Sequence, residues 1–344
     1  MTREKIRCIA TMAALLVCVF AGVATGEEWR RLMTEGKLDA DLGNHDEASA
    51  SFRAIADDEA APTAFRWEAL VRYGLTRNAA GDPVASTQAF RTVLANYAGD
   101  PEAMRFVTYA VASSGPGKIW IDLKVTFEKL LRTARVVSTE ELGPGISPNE
   151  KVTLSQGEIE LSAIWRHFSN PKIQDSYIFE VAAYEIDKLL RLDMVPPTVS
   201  RTLEGQEGTL QLWVYGCKTH GSVRDRAPAT PEWRHQLSRM KTFDHLIGNR
   251  DRNDQNILVD ATWGIVLVDH TRSFLDPETP QELPDRFDRQ MIERLRRLNR
   301  PILRKRLNGV LTEAQVEGFF ERRDALLAHV EMLVTERGEQ AVLF

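Results

Sequence analysis

Phe243-Asp-His-Leu-Ile-Gly-Asn-Arg-Asp-Arg-Asn-Asp-Gln-Asn-Ile-Leu-Val259, then Asp260-Ala-Thr-Trp-Gly264, then Ile265-Val-Leu-Val-Asp269, is the stretch on which the reading of this chain turns. Asp251 precedes Asn256 by five positions, and the short apolar runs Ile257 to Val259 and Ile265 to Val268 flank a turn, so they predict a hairpin whose end delivers Asp269. A carboxylate, a carboxamide and a second carboxylate set by such a hairpin suit one kind of chemistry. Phosphoryl transfer is mostly positioning and charge neutralisation: one carboxylate holds and deprotonates an acceptor hydroxyl, while an Asn and a second Asp fix divalent cations on the phosphates. The competing structural reading is a polar loop of Asx turns for Asp251 and Asn256, and a helix cap or surface turn for Asp269. Of the other loop carboxylates, Asp254 reads as solvated and Asp244 as a stabiliser of the loop.

Upstream, Leu142-Gly143-Pro144-Gly145-Ile146 is a short glycine loop, and Val152 to Leu154 with Ile159 to Trp165 predicts a β-hairpin. A helix follows from about Asp175 to Arg191, with the apolar stripe Ile178, Ala182, Ile186 and Leu189 at helical spacing. Val195-Pro196-Pro197-Thr198-Val199 ends it and opens a strand, and Thr209 to Tyr215 supplies another. Glycine loop, hairpin, helix and two strands is the element order of a kinase small lobe, and the spacing of Asp251 and Asn256 is that of a kinase catalytic loop. The fold class expected is therefore α+β, a bilobal protein-kinase-like domain with a β-rich small lobe and a helical large lobe.

Ile247-Gly248-Asn249-Arg250-Asp251-Arg252 and Val268-Asp269-His270-Thr271-Arg272-Ser273-Phe274 resemble the catalytic and metal loops of the secretory-pathway kinases of the four-jointed and Golgi casein kinase type. Glu180 to Leu190 with Val195-Pro196-Pro197 looks like their small-lobe helix and the strand after it. HipA-like and phosphatidylinositol kinases share the Gly-x-x-Asp style of loop. The resemblance covers roughly Leu142 to Phe274. It implies use of ATP with Mg²⁺ or Mn²⁺ and an acceptor hydroxyl on a secreted protein or glycan. Carried over by position, Asp251 is the catalytic base and Asn256 and Asp269 are metal ligands. Gly143 and Gly145 form the phosphate-facing loop. Glu180 is the helix acid that orients the nucleotide-binding cation, with Glu185 as second choice. Trp213 and Tyr215 lie in the segment linking the lobes beside adenine, although Trp213 fits plain core packing equally well.

Two departures from the family pattern stand out. Where the family has a strand lysine, Ala163-Ile164-Trp165-Arg166 offers an arginine, whose planar fork is placed differently from an ammonium. This leaves three functions open: an exported kinase, a nucleotide-binding pseudokinase acting as an interaction module, and a transferase of the same fold that moves AMP. Cysteine usage is the second departure. Arg3, Lys5 and Arg7, the apolar run Ile9 to Ala24 and the small residues Ala24-Thr25-Gly26 read as a signal peptide over residues 1–26. Its removal takes Cys8 and Cys18 with it and leaves Cys217 as the remaining thiol, so no intramolecular disulfide is expected. The pattern looks like a bacterial relative, exported to the periplasm or the extracellular space, with no stable membrane span after cleavage.

Lys and Arg number 44 against 49 Asp and Glu, a net charge of -5, with 43% hydrophobic and 27% charged residues. That balance excludes a disordered or multi-span membrane chain and gives no bulk attraction to nucleic acid. Residues 27–115 read as Ala-rich helices. Gly43, Ala48, Phe52 and Ile55 make one unit and Gly81, Ala85, Phe90 and Val93 another, with Phe52 and Phe90 offset by 38. The region resembles a tetratricopeptide-like helical repeat, whose unit is ~34 residues, and is expected to bind a protein partner or brace the next domain. A kinase-like domain over 116–334 and a tail over 335–344 complete the expected organisation. Arg286 to Arg306 is densely basic with apolar residues at helical spacing, which predicts a solvated face, or less simply a docking surface for acidic substrates. Walker, HExxH and Gly-x-Ser-x-Gly elements are missing from the sequence, so NTPase, metalloprotease and esterase readings lack residues to carry them.

Overall fold

The structure, a computed structural model, describes residues 26–96, 120–121, 124–143, 149–156, 159–170, 172, 175–214, 216–260, 262–275 and 283–344. The expected signal peptide lies almost wholly outside these residues. Two compact units fall within Met1–Ala110 and Val111–Phe344.

The first unit is helical throughout its described residues: α1 (26–42), α2 (His45–Asp57), α3 (Thr63–Ala79) and α4 (Pro83–Asn96). Its helices pair so that an aromatic ring of the second helix lies on a glycine of the first. A Cβ added to Gly36 would sit 2.8 Å from the Phe52 ring, and one added to Gly74 would sit 3.0 Å from the Phe90 ring. A glycine within a helix costs ~1 kcal/mol relative to alanine, and here the missing side chain is the space the ring fills. Gly36 and Gly74 are separated by the same 38 residues as Phe52 and Phe90, so the offset visible in the sequence marks a repeated packing contact.

The second unit begins with α5 (Lys124–Thr133) and a five-stranded antiparallel sheet of order β1-β2-β3-β7-β6, comprising β1 (Arg135–Glu141), β2 (Glu150–Gln156), β3 (Ile159–Arg166), β6 (Thr198–Leu203) and β7 (Gln206–Leu212). Between β3 and β6 come the short pair β4 (Ser169–Asn170) and β5 (Asp175–Ser176), then α6 (Ile178–Leu190). Helix α6 buries Ala182, Ile186 and Leu190, the stripe that its sequence spacing predicts shifted by one residue at its end. Glu128 of α5 accepts hydrogen bonds from Tyr184 Oη at 2.9 Å and Lys188 Nζ at 2.7 Å, which fastens the two helices together.

A second, three-stranded sheet of order β10-β9-β8 contains β8 (Lys218–Thr219), β9 (Ile257–Val259) and β10 (Ile265–Leu267), so the expected hairpin is formed and pairs Ile265 with Val259. Around it lie α7 (His220–Val223), α8 (Pro231–Ile247), α9 (Arg289–Arg297), α10 (Arg300–Arg306), α11 (Glu313–Arg337) and α12 (Glu339–Val342). Phe243, Phe287, Ile292, Phe319 and Phe320 share one apolar core with Ile186 of α6. The arginine run is an ion-paired face. Arg296 reaches Glu331, Arg300 Glu317, Arg304 Glu313 and Arg306 Glu185, so these charges answer acids of α11 and α6. Residues 335–344, read from the sequence as a tail, instead complete α11 and pack: Val342 is fully buried, Leu343 bridges to Phe287, and the Phe344 ring stacks on His235 at 3.7 Å. Among the described residues no helix is long and apolar enough to cross a membrane.

Asp187 closes the C-terminal end of α6. Its Oδ1 accepts the backbone N–H groups of Met194 and Val195 at 2.9 and 3.2 Å, while Oδ2 is buried and makes no hydrogen bond. Burial pushes its carboxyl up to about 6 against the opposing pull of those N–H groups and Lys124. A folded value above the unfolded one, ~4, means that the native state binds the extra proton, so the contribution is full below pH ~4 and is lost as pH rises through about 6. Asp187→Asn keeps the acceptor and removes the charge. Its stability should vary less than that of wild type between pH 4 and 7 and exceed it at pH 7 by about 2 kcal/mol. Urea unfolding at pH 4, 5.5 and 7 measures this, and parallel pH profiles for the two proteins would refute it.

Candidate active site

Helix α8 ends where the loop begins. Gly248 adopts φ 61°, Asn249 N–H returns to Asp244 O at 2.9 Å, and a Cβ at Gly248 would lie 2.7 Å from the Leu275 carbonyl. Only glycine meets both the positive φ and the close backbone approach without strain. Beyond it, buried Asp244 accepts two hydrogen bonds from Arg252, from Nε at 2.9 Å and Nη2 at 3.0 Å, and a third from Asn249 Nδ2 at 2.9 Å. Arg252 Nη1 donates to two carbonyls, Asn256 O at 2.7 Å and Val268 O at 2.8 Å. Asn249 Oδ1 accepts from Asp251 N, Asn256 Nδ2 donates to Asp251 O, and Val268 N donates to Asn256 O. Asp251, Asn256 and the residue before Asp269 are thus joined in one hydrogen-bonded frame. Asp244 has the loop-holding position expected of it. Arg252 closes the Gly248-to-Arg252 motif in the sequence, but its spacing there gives it no role of its own. Asp254 is not freely solvated: its carboxylate lies 2.8 Å from His220 Nδ1 and 3.1 Å from Arg224 Nη1, because β9 pairs with β8 and brings α7 against the loop.

Asp269 stands at φ 56°, in the left-handed region that aspartate enters more readily than most residues with a side chain. Thr271 Oγ1 donates to its Oδ1 at 2.9 Å. The next turn brings Arg272 Nη1 to 3.6 Å from Asp251 Oδ2, and Arg272 O accepts Arg250 N–H at 3.2 Å. The two loops therefore run side by side, with Asp251 about one-third exposed at their edge.

The third part comes from the small lobe. Glu180 on α6 is fully buried, and Arg166 at the end of β3 places Nε 3.5 Å from Glu180 Oε1. His270 donates its backbone N–H to Glu180 Oε1 and its Nδ1 to Oε2, each at 3.0 Å, and Gln211 Nε2 adds a bond of 3.4 Å. Burial pushes this carboxyl up, but the Arg166 charge and the His270 hydrogen bonds outweigh it and hold Glu180 well below the usual carboxylate range. Glu185, the second choice, is committed to Lys188 and Arg306. Gly143 is exposed immediately after β1, within the connection from β1 to β2. Trp213 follows β7, half-buried, with Lys151 Nζ 4.8 Å from its ring centre. Gly145 and Tyr215 lie outside the described residues.

Among the described residues there is no cluster of three or more His, Cys, Asp or Glu that could hold a metal ion. With Asn256 Nδ2 given to Asp251 O, Asn256 Oδ1 and the Asp269 carboxylate are oxygens of the kind that a hard cation takes. Arg166 Nε and Nη1 are buried without a hydrogen bond, although Nε lies within ion-pair distance of Glu180 Oε1.

No family model matches the chain, and no curated protein matches it by sequence. Among solved structures, one described as the crystal structure of the golgi casein kinase is similar to this chain with a TM-score of 0.54 at 13% identity, covering 80% of this chain and 92% of that one. At that identity the likeness speaks to the fold, and it agrees with the mixed helix-and-sheet unit around Glu180, Asp251 and Asp269: the chain has a kinase-like fold.

Proposed function

We propose that this protein is an exported phosphotransferase that moves the γ-phosphoryl group of ATP to a hydroxyl of a secreted protein or glycan. The observation that carries the reading is the frame built by Arg252, which holds the backbones of Asp251, Asn256 and Val268 together at the mouth of the two loops. On this reading Asp251 accepts the proton of the acceptor hydroxyl as its oxygen bonds to phosphorus, and the bond from phosphorus to the ADP oxygen breaks. Asn256 Oδ1 and Asp269 would hold Mg²⁺ or Mn²⁺, which would neutralise phosphate charge. Arg166 donates to the phosphates, and Gly143 belongs to the glycine loop that faces them. The helical unit, with its repeated glycine-and-ring contact, would present a surface to a protein partner.

A second reading has its own support. Arg166 stands where the resemblance leads one to expect lysine, and Arg272 lies within ion-pair distance of Asp251, which favours a nucleotide-binding module without turnover. Transfer of AMP from the same site is the third. ATP labelled at the γ- or the α-phosphate, incubated with purified protein, Mn²⁺ and candidate acceptors, separates them: the proposal expects retained γ label and no α label, whereas α label supports AMP transfer. Neither label on any acceptor, with ATP still bound, supports the non-catalytic module.

Substitution sharpens the assignment. Asp251→Asn should lower turnover by ~10²–10⁴ while leaving Mn²⁺-dependent ATP binding within about twofold, because the loss of a general base falls on the chemical step. Asp269→Ala should weaken both, since a cation that bridges protein and phosphates then loses a ligand. Calorimetric titration of ATP gives the binding half; equal affinities in wild type and Asp269→Ala reject the metal assignment. Export is tested separately. Sequencing of the N-terminus from periplasmic or secreted material should begin near Glu27, and an intact protein starting at Met1 inside the cell would remove export from the proposal.

A further inference from the structure

The buried arginine of the small lobe poses a physical problem. In phosphotransferases of this fold a strand cation is held by a helix carboxylate while it reaches the phosphates. Lysine can do both with three rotatable donors. Arginine meets a carboxylate through two parallel bonds, and that geometry would commit its fork to the acid and withhold it from the nucleotide. Arg166 is not so committed. It is 6% exposed, its nearest approach to Glu180 is 3.5 Å, and its Nε and Nη1 make no hydrogen bond. Glu180 meanwhile is occupied at both oxygens from another direction, by the backbone N–H and the Nδ1 of His270 and by Gln211. His270 itself is fully buried, with the Phe243 ring edge-on to it and its Nε2 unpartnered.

We propose, resting on the phosphotransferase reading, that His270 is a positioning residue: by taking both oxygens of the Glu180 carboxylate in hydrogen bonds it leaves the Arg166 guanidinium within ion-pair distance but not hydrogen-bonded to it, so that its N–H donors can turn to an anionic phosphate. The same two bonds tie α6 to the residue that follows Asp269, so the helix, the cation and the metal loop are set in register before any nucleotide arrives. The sequence departure at position 166 and the histidine at position 270 then belong together, since the arginine is usable only while its natural carboxylate partner is taken.

Four proteins form the test: wild type, His270→Ala, Arg166→Met and the double variant, with His270→Asn as the conservative control. Each is titrated with ATP plus Mn²⁺ and with inorganic tripolyphosphate, and each is melted without ligand. Arg166→Met should weaken ATP about tenfold or more, the loss expected of a charge-assisted hydrogen bond. His270→Ala should weaken it comparably as Arg166 turns onto Glu180, and adding Arg166→Met to His270→Ala should cost little further. His270→Asn, whose amide can donate to Glu180, should retain most of the affinity. Without ligand, Arg166→Met should lower the stability of His270→Ala by more than it lowers that of wild type, because in His270→Ala the arginine has become the hydrogen-bond partner of Glu180. A His270→Ala protein that binds ATP like wild type, while Arg166→Met does not, overturns the inference and leaves the phosphotransferase reading standing. A wild type that binds neither ATP nor tripolyphosphate overturns that reading, and the ligand-free melts then decide the inference alone: no coupling between positions 166 and 270 refutes it.

Discussion

The buried pair of Asp244 and Arg252 is the constraint on which the rest of the large lobe's site depends. Both side chains are almost wholly removed from water, 5% and 8% exposed, a placement whose desolvation cost is offset only when every charge is hydrogen-bonded. Here it is: the carboxylate accepts three bonds and the guanidinium spends its remaining donor on the carbonyls of Asn256 and Val268. An arginine fork is rigid, so two carbonyls bound to one nitrogen are held at a fixed separation. This is how a loop without regular structure presents Asp251 and Asn256 at a constant position relative to Asp269. The left-handed backbone at Asp269 is sustained by the same surroundings.

A similar economy governs the small lobe, where one buried carboxylate serves three neighbours. Glu180 takes hydrogen bonds from Gln211 of β7 and from His270 of the loop after β10, with the Arg166 charge of β3 at 3.5 Å, so a single side chain fixes the helix against its sheet and against that loop. Helix α6 can deliver that acid because its C-terminal end is closed by Asp187 and its outer face is tied to α5 through Glu128. The apolar stripe places α6, and the polar contacts set its rotation.

The helical unit and the kinase-like unit are stabilised by different means. In the first, small residues admit aromatic rings at a 38-residue interval, and the packing contact repeats with the sequence. In the second, an apolar core around Phe243, Phe319 and Phe320 is ringed by arginine–glutamate pairs that line α9, α10 and α11. Exposed pairs of this kind contribute little each, and their presence answers the basic run without calling on an anionic partner.

The sequence by itself determined whatever is written in local periodicity and short spacing. That includes the helix bearing Glu180, the hairpin that leads to Asp269, the five-residue interval from Asp251 to Asn256, and the 38-residue offset of Phe52 and Phe90, whereas the glycines those rings cover, Gly36 and Gly74 rather than Gly43 and Gly81, were decided by packing. Backbone hydrogen bonding and side-chain alternation act over a few residues, so they leave a mark a reader can find. Tertiary structure alone decided the pairings that give the site its electrostatics. His270 meets Glu180 across 90 positions, Arg252 bridges to Val268 across 16, and Asp254 reaches back 34 positions to His220. None of these leaves a periodic trace. The choice of Glu180 over Glu185, and the packing of the last ten residues, followed likewise from which faces the core had to bury. Those partners meet because apolar packing brings their elements together, and buried polar groups then take whichever donors and acceptors that packing sets within reach.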